Sequence, residues 1–215
     1  MAVTRPALNP IDRLSEILFG LIMVLTFTSS LSIAQAGRED VRTMLIGALG
    51  CNIAWGIIDA ILFLMTALAE RSASLRAWDA VRKSTDPLVG RQVVADAVPP
   101  VVALVLTPDE LESVRQRLIA LPDPPRRLQL DWATWRAAGA VFILVVVTTF
   151  PVALPFLFMS DAVLALRVSN LVAIAMLFGV GFAFARLTGR QPWLVGVLMV
   201  LLGAALVSIT IALGG

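Results

Sequence analysis

Residues 44–69 read MLIGALGCNIAWGIIDAILFLMTALA. This apolar run exceeds the ~20 helical residues that cover the ~30 Å hydrocarbon core of a bilayer. Its only charge is Asp59, near the middle. A carboxylate at that depth is costly, so one that persists faces a helix interior or a polar pathway. The stretch therefore predicts a membrane-spanning helix and a candidate functional residue together.

The rest of the chain extends the same pattern. Further apolar runs lie at about 14–36, 133–158, 162–186 and 191–213. Of the 215 residues, 59% are hydrophobic and 15% charged, against ~25% charged in an average soluble domain. The predicted fold class is an all-α integral membrane protein. Five transmembrane helices, with a helical cytoplasmic module between helices 2 and 3, give domains at 1–69, 70–131 and 132–215. Ala34-Gln35-Ala36 resembles a signal-peptidase site, but Asp12 and Glu16 interrupt the basic flank and the first run is long enough to be a full span.

Basic residues orient the bundle. With a cytoplasmic N-terminus, the outside pieces carry only Arg38, Arg42 and Arg167 of the 17 Lys and Arg, a clear positive-inside bias. The long loop is then cytoplasmic and the C-terminus outside, and a bacterial inner membrane is the expected location. Within the loop, Leu75, Trp78 and Val81 predict a short amphipathic helix over 72–82. Thr107-Pro108-Asp109-Glu110 is a helix start with a capping box, followed by Leu111, Val114, Leu118 and Leu121 on one face. Trp132 and Trp135 suit an interfacial anchor for the third span.

Residue types also exclude chemistry. There is no histidine and only one cysteine, Cys51, so His-based triads, HExxH zinc sites and CxxC motifs are ruled out together. An enzyme is not expected, nor a resident cofactor. A net charge of +2 gives no reason to expect nucleic acid. The expected partner is the lipid bilayer.

Inside the membrane, Asn52, Trp55, Gly56 and Asp59 fall at i, i+3, i+4 and i+7, one face of a helix. Asn52 reads either as a secondary pathway group or as a hydrogen bond locking two helices. On helix 1, Glu16, Gly20, Met23, Phe27 and Ser30 share a stripe. Thr26, Thr28, Ser29, Ser30, Ser32 and Gln35 make its outer half polar, to line a path or to satisfy backbone groups. Met23 offers a thioether near mid-span, a soft metal ligand or plain packing. Helix 3 ends in Phe150-Pro151-Val152-Ala153-Leu154-Pro155-Phe156, which predicts a kink with freed carbonyl groups. Ser169, Asn170 and the glycines of helices 4 and 5 read as close packing.

This order of elements resembles the vacuolar iron transporter family. Ser15-Glu16-Ile17-Leu18-Phe19-Gly20-Leu21 is similar to that family's helix 1 opening. The two prolines of 150–156 resemble its helix 3 ending, and Thr188-Gly189-Arg190 sits between similarly glycine-rich helices. The resemblance implies a homodimer that moves a divalent cation, iron(II) or manganese(II), in exchange for protons. It implies Asp59 as charged ligand or proton carrier, Met23 as soft ligand, Glu16 as cytoplasmic gate and Asn52 as a secondary group. Two departures stand out. Met23 occupies the family's helix 1 Asp position and Asp59 its helix 2 Met position, so that Met23 and Asp59 are expected to face one another. The loop carries no Met between 71 and 130, and its only glutamates there are Glu110 and Glu112. That poverty favours a second reading, a non-transporting scaffold or regulatory protein on the same fold.

Overall fold

The computed structural model describes residue 8 and residues 10–29, 38–123 and 130–212. Among these residues every regular element is a helix: α1 Pro10–Ser29, α2 Arg38–Lys83, α3 Pro87–Ala97, α4 Pro100–Ala103, α5 Pro108–Ala120, α6 Trp132–Val147, α7 Thr149–Phe158, α8 Ala162–Thr188 and α9 Pro192–Ala212. Ser30, Ser32, the Ala34-Gln35-Ala36 stretch, and the side chains of Phe27 and Ser29 lie outside the description.

Four helical segments are long and apolar enough to cross a membrane: Val41–Lys83, Trp132–Phe158, Ala162–Thr188 and Pro192–Thr210. The first predicted span is described only as far as Ser29, within α1, which also carries Asp12 and Arg13 ahead of Glu16. Apolar side chains such as Ile46, Met65, Leu171, Leu198 and Leu201 are exposed on these segments, as expected where lipid replaces water around the bundle. The chain is a multi-pass membrane protein.

Residue contacts divide the chain into one unit of 1–63 with 132–215, and a second of Leu64–Asp131. In the first, α1 packs against α6, α7, α8 and α9. Its Leu21, Val24 and Leu25 join Ala48 of α2, Val152 of α7 and Ala173 and Leu177 of α8 in one buried core. A helix so surrounded has an inward face on which charged groups need partners. Asp161 starts α8 by accepting hydrogen bonds from the Val163 and Leu164 amides at 2.9 and 3.1 Å. Gly189, in the left-handed region at φ 68°, ends it.

Prolines explain the break in helix 3. Pro151 has no N–H to offer the Val147 carbonyl, and the helix divides at Thr148, between α6 and α7. Ser169 of α8 then donates to the Val152 carbonyl at 2.7 Å. Close packing of α8 on α9 also follows from small residues. A Cβ on Gly181 would lie 2.9 Å from the Val195 carbonyl oxygen, and one on Gly196 only 2.6 Å from the Phe178 ring.

In the second unit the structure departs from expectation at one point. The short helix predicted over 72–82 is the continuation of α2, which runs unbroken to Lys83. Nothing between Ala69 and Lys83 breaks a helix; the first proline is Pro87, which instead opens α3 behind the Asp86 cap. Val81 and Val94 are buried at the centre of this unit, and Trp78 donates to the Leu118 carbonyl of α5 at 2.9 Å. The capping box of α5 forms as its sequence predicts.

A buried carboxyl pair between the first two helices

Asn52 of α2 sets the register against its neighbours. It is fully buried, and its amide nitrogen donates to the Gly20 carbonyl of α1 at 3.3 Å and to the Thr149 hydroxyl of α7. Gly20 also lets α1 close on the α6–α7 break, because a Cβ there would run into Thr148 Oγ1 and into the Val145 carbonyl oxygen, 2.8 Å away. Three elements thus meet at one polar node.

One step inward, the register brings two acids together. Asp59 lies seven residues beyond Asn52, and Glu16 four residues before Gly20, so antiparallel helices bring them to within about one turn of each other. Their side chains are in hydrogen-bond contact. The remaining oxygens, Glu16 Oε2 and Asp59 Oδ2, are buried and have no hydrogen-bond partner. Two carboxyl groups in contact hold a proton between them, or a cation in its place, because like charges at that distance repel strongly. Asp12, one turn before Glu16 on the same α1 face, adds its charge to the field at Glu16. Sequence reading passed over Asp12 as part of the N-terminal flank, although its i, i+4 spacing to Glu16 was visible.

Met23 is not part of this pair. It lies seven residues beyond Glu16 on the outer side, two turns and roughly 10 Å along α1 from the carboxyl pair. The expected facing of Met23 and Asp59 therefore gives way to a facing of Glu16 and Asp59. The Asn52–Gly20 contact is what holds α2 against α1 in this register. Polar groups of the described outer half of α1 are spent on backbone. Thr26 donates to the Ile22 carbonyl at 2.8 Å and Thr28 to that of Leu25 at 3.1 Å.

The acids of α5 are engaged locally. Glu110 accepts from the Thr107 amide at 2.8 Å and from the Thr107 hydroxyl at 2.9 Å, which hold its carboxyl below the usual range. Glu112 accepts two hydrogen bonds from Arg115 at 2.8 and 2.7 Å and one from Gln116 at 3.0 Å. The Arg115 bonds are the main reason its carboxyl is lowered to about 2. Among the described residues no group of three or more His, Cys, Asp or Glu stands ready to hold a metal. Glu16 and Asp59 are each partly buried, with one oxygen apiece fully enclosed.

An acid pair between two helices of a multi-pass bundle is the kind of arrangement that membrane proteins keep for ions or protons. The comparison with family models is specific: the model of the VIT family matches residues 86–215. The chain belongs to the VIT family, a family of membrane metal-ion transporters. The matched stretch takes in α3 to α9, and the carboxyl pair lies before it. No curated protein matches the chain.

Proposed function

We propose that the chain moves a divalent metal cation, iron(II) or manganese(II), across the bilayer, with Glu16 and Asp59 as its charged binding pair. The observation that carries this reading is their contact, together with the two buried, unpartnered oxygens Glu16 Oε2 and Asp59 Oδ2. Hard carboxylate oxygens suit manganese(II), and iron(II) accepts them as well. A cation entering between the two carboxyl groups displaces the proton they share, and that proton leaves to water. Metal movement is thereby coupled to proton release. Asp12 supplies further negative charge on the cytoplasmic side of the pair. Asn52 acts as the register lock and Met23 as a packing residue, outside the charged site.

The proposal includes five spans, the one at about 14–36 among them, a cytoplasmic N-terminus and cytoplasmic Leu64–Asp131 unit, an outside C-terminus, and a homodimer in a bacterial inner membrane. Manganese(II) uptake into proteoliposomes tests the function directly. Asp59→Asn keeps the side-chain shape but removes the charge, and its uptake is expected to fall to background. Unchanged uptake in that variant removes the pair from the mechanism.

A further inference from the structure

The Asn52 node carries an unsatisfied requirement that the acid pair does not explain. Asn52 is 0% exposed. Its orientation is fixed by chemistry, because the Gly20 carbonyl only accepts hydrogen bonds and so faces the amide nitrogen. Both amide protons are then used, one on Gly20 and one on Thr149 Oγ1. Asn52 Oδ1 is left buried without a donor. Thr149 is 3% exposed, and since its oxygen accepts from Asn52, its own proton points elsewhere.

A buried acceptor and a hydroxyl proton thus lie on either side of one amide contact. A guest that closes this arrangement must accept from Thr149 and donate to Asn52 Oδ1. A bare cation accepts nothing from a hydroxyl proton and an anion donates nothing, whereas a water molecule does both. Buried polar groups with such complementary needs are the usual seats of internal water.

We infer that Asn52 Oδ1 and Thr149 Oγ1 form a binding site for a single water molecule, a second and uncharged station on the α2 face that carries Asp59. The station lies two turns from the acid pair, roughly 10 Å along the helix. Its role on an ion route rests on the proposed transport function; its occupancy does not. The water has two sources with one chemistry: a resident molecule, or a water in the inner shell of the passing cation, since hard divalent ions part with such waters reluctantly.

X-ray hydroxyl-radical footprinting of the purified full chain separates these cases, because radiolysis of a bound water oxidises the side chains beside it. Oxidation in the buried α2 and α7 peptides that carry Asn52 and Thr149 is expected in wild type and in Thr149→Ser, and is expected to be lost in Thr149→Val. Oxidation in metal-free protein identifies a resident water; oxidation only after adding manganese(II) identifies the cation's own. Wild-type protein with neither signal overturns the site, and so does a signal of equal size in a folded Thr149→Val. Manganese(II) binding to the same samples, which reads the acid pair, reports separately on the transport function. In proteoliposomes, Thr149→Val is expected to slow uptake by about threefold to tenfold while Thr149→Ser stays close to wild type, the loss of one water-mediated contact.

Discussion

The Asn52 amide donates to the Gly20 carbonyl at 3.3 Å, and this contact determines which residue of α1 Asp59 meets. A shift of α2 by one turn along α1 would carry Asp59 away from Glu16 by ~5.4 Å. The polar node is therefore the positioning device for the acid pair, although no atom of it touches either carboxyl oxygen that lacks a partner.

Gly20 is the most sensitive part of that device. Replacing it with Ala puts a methyl group against Thr148 Oγ1 and 2.8 Å from the Val145 carbonyl oxygen. The Val145 atom is backbone and cannot rotate aside. Overpacking of this kind costs about 1–3 kcal/mol. Gly20→Ala is expected to lower the melting temperature of detergent-purified protein, while Gly139→Ala, inside α6 where a Cβ meets nothing within 4 Å, is expected to hold or raise it. Equal melting of the two variants would contradict the close approach.

Glu16 and Asp59 act as one site, so losing either carboxylate should remove most of the binding. Affinity in such sites is set largely by ligand charge. Calorimetric titration of manganese(II) is expected to show at least ~tenfold weaker binding in Glu16→Gln, about 1.4 kcal/mol or more. The double variant Glu16→Gln, Asp59→Asn is expected to bind no weaker than the worse single variant by more than a small factor, because the remaining carboxyl alone is no site. Independent, additive losses would mean the two acids work apart.

Met23 provides the opposite expectation. Its place two turns from Glu16, roughly 10 Å along α1, leaves its sulfur out of the charged site. Met23→Leu conserves volume and usually costs less than ~1.5 kcal/mol of stability. Manganese(II) affinity in this variant is expected to equal that of wild type. A clear loss of affinity would restore the thioether to the ion's coordination.

Much of this was readable in the sequence, and the parts that were not share a cause. The α2 face with Asn52 and Asp59 follows from seven-residue spacing. The α8 and α9 bounds follow from where Asp161, Gly189 and Pro192 sit, and the α6–α7 break from Pro151. These are properties of single segments. The partner of Asp59 is a property of two, and periodicity leaves the sliding of one helix along another undetermined. Gly20, by its missing Cβ, and Asn52, by its amide, settle that sliding through contacts with residues 97 and 32 positions from Asn52. The continuation of α2 to Lys83 was legible in principle, because no breaker stands before Pro87, but the change from apolar to charged composition at Glu70 looked like an ending.

The Leu64–Asp131 unit has its own pH response, centred on α5. Glu112 is held at about 2 in the folded chain, chiefly by its two hydrogen bonds from Arg115, against 4.5 for the free group. A carboxyl lowered by folding stabilises the folded state above its unfolded pKa and loses that contribution as pH falls through the folded value. The window is therefore from about 4.5 down to about 2. Glu112→Gln removes the charge at every pH, so wild type and variant should differ near neutral pH and converge across that window. Hydrogen exchange of the peptide covering 108–120, measured on both proteins side by side, isolates the effect. Intrinsic exchange rates cancel in the difference, and so does the Glu110 cap, which both proteins retain. Greater protection in wild type is expected near neutral pH, shrinking as the pH is lowered toward 2. Equal protection at neutral pH would show that the Arg115 pair contributes nothing to holding α5.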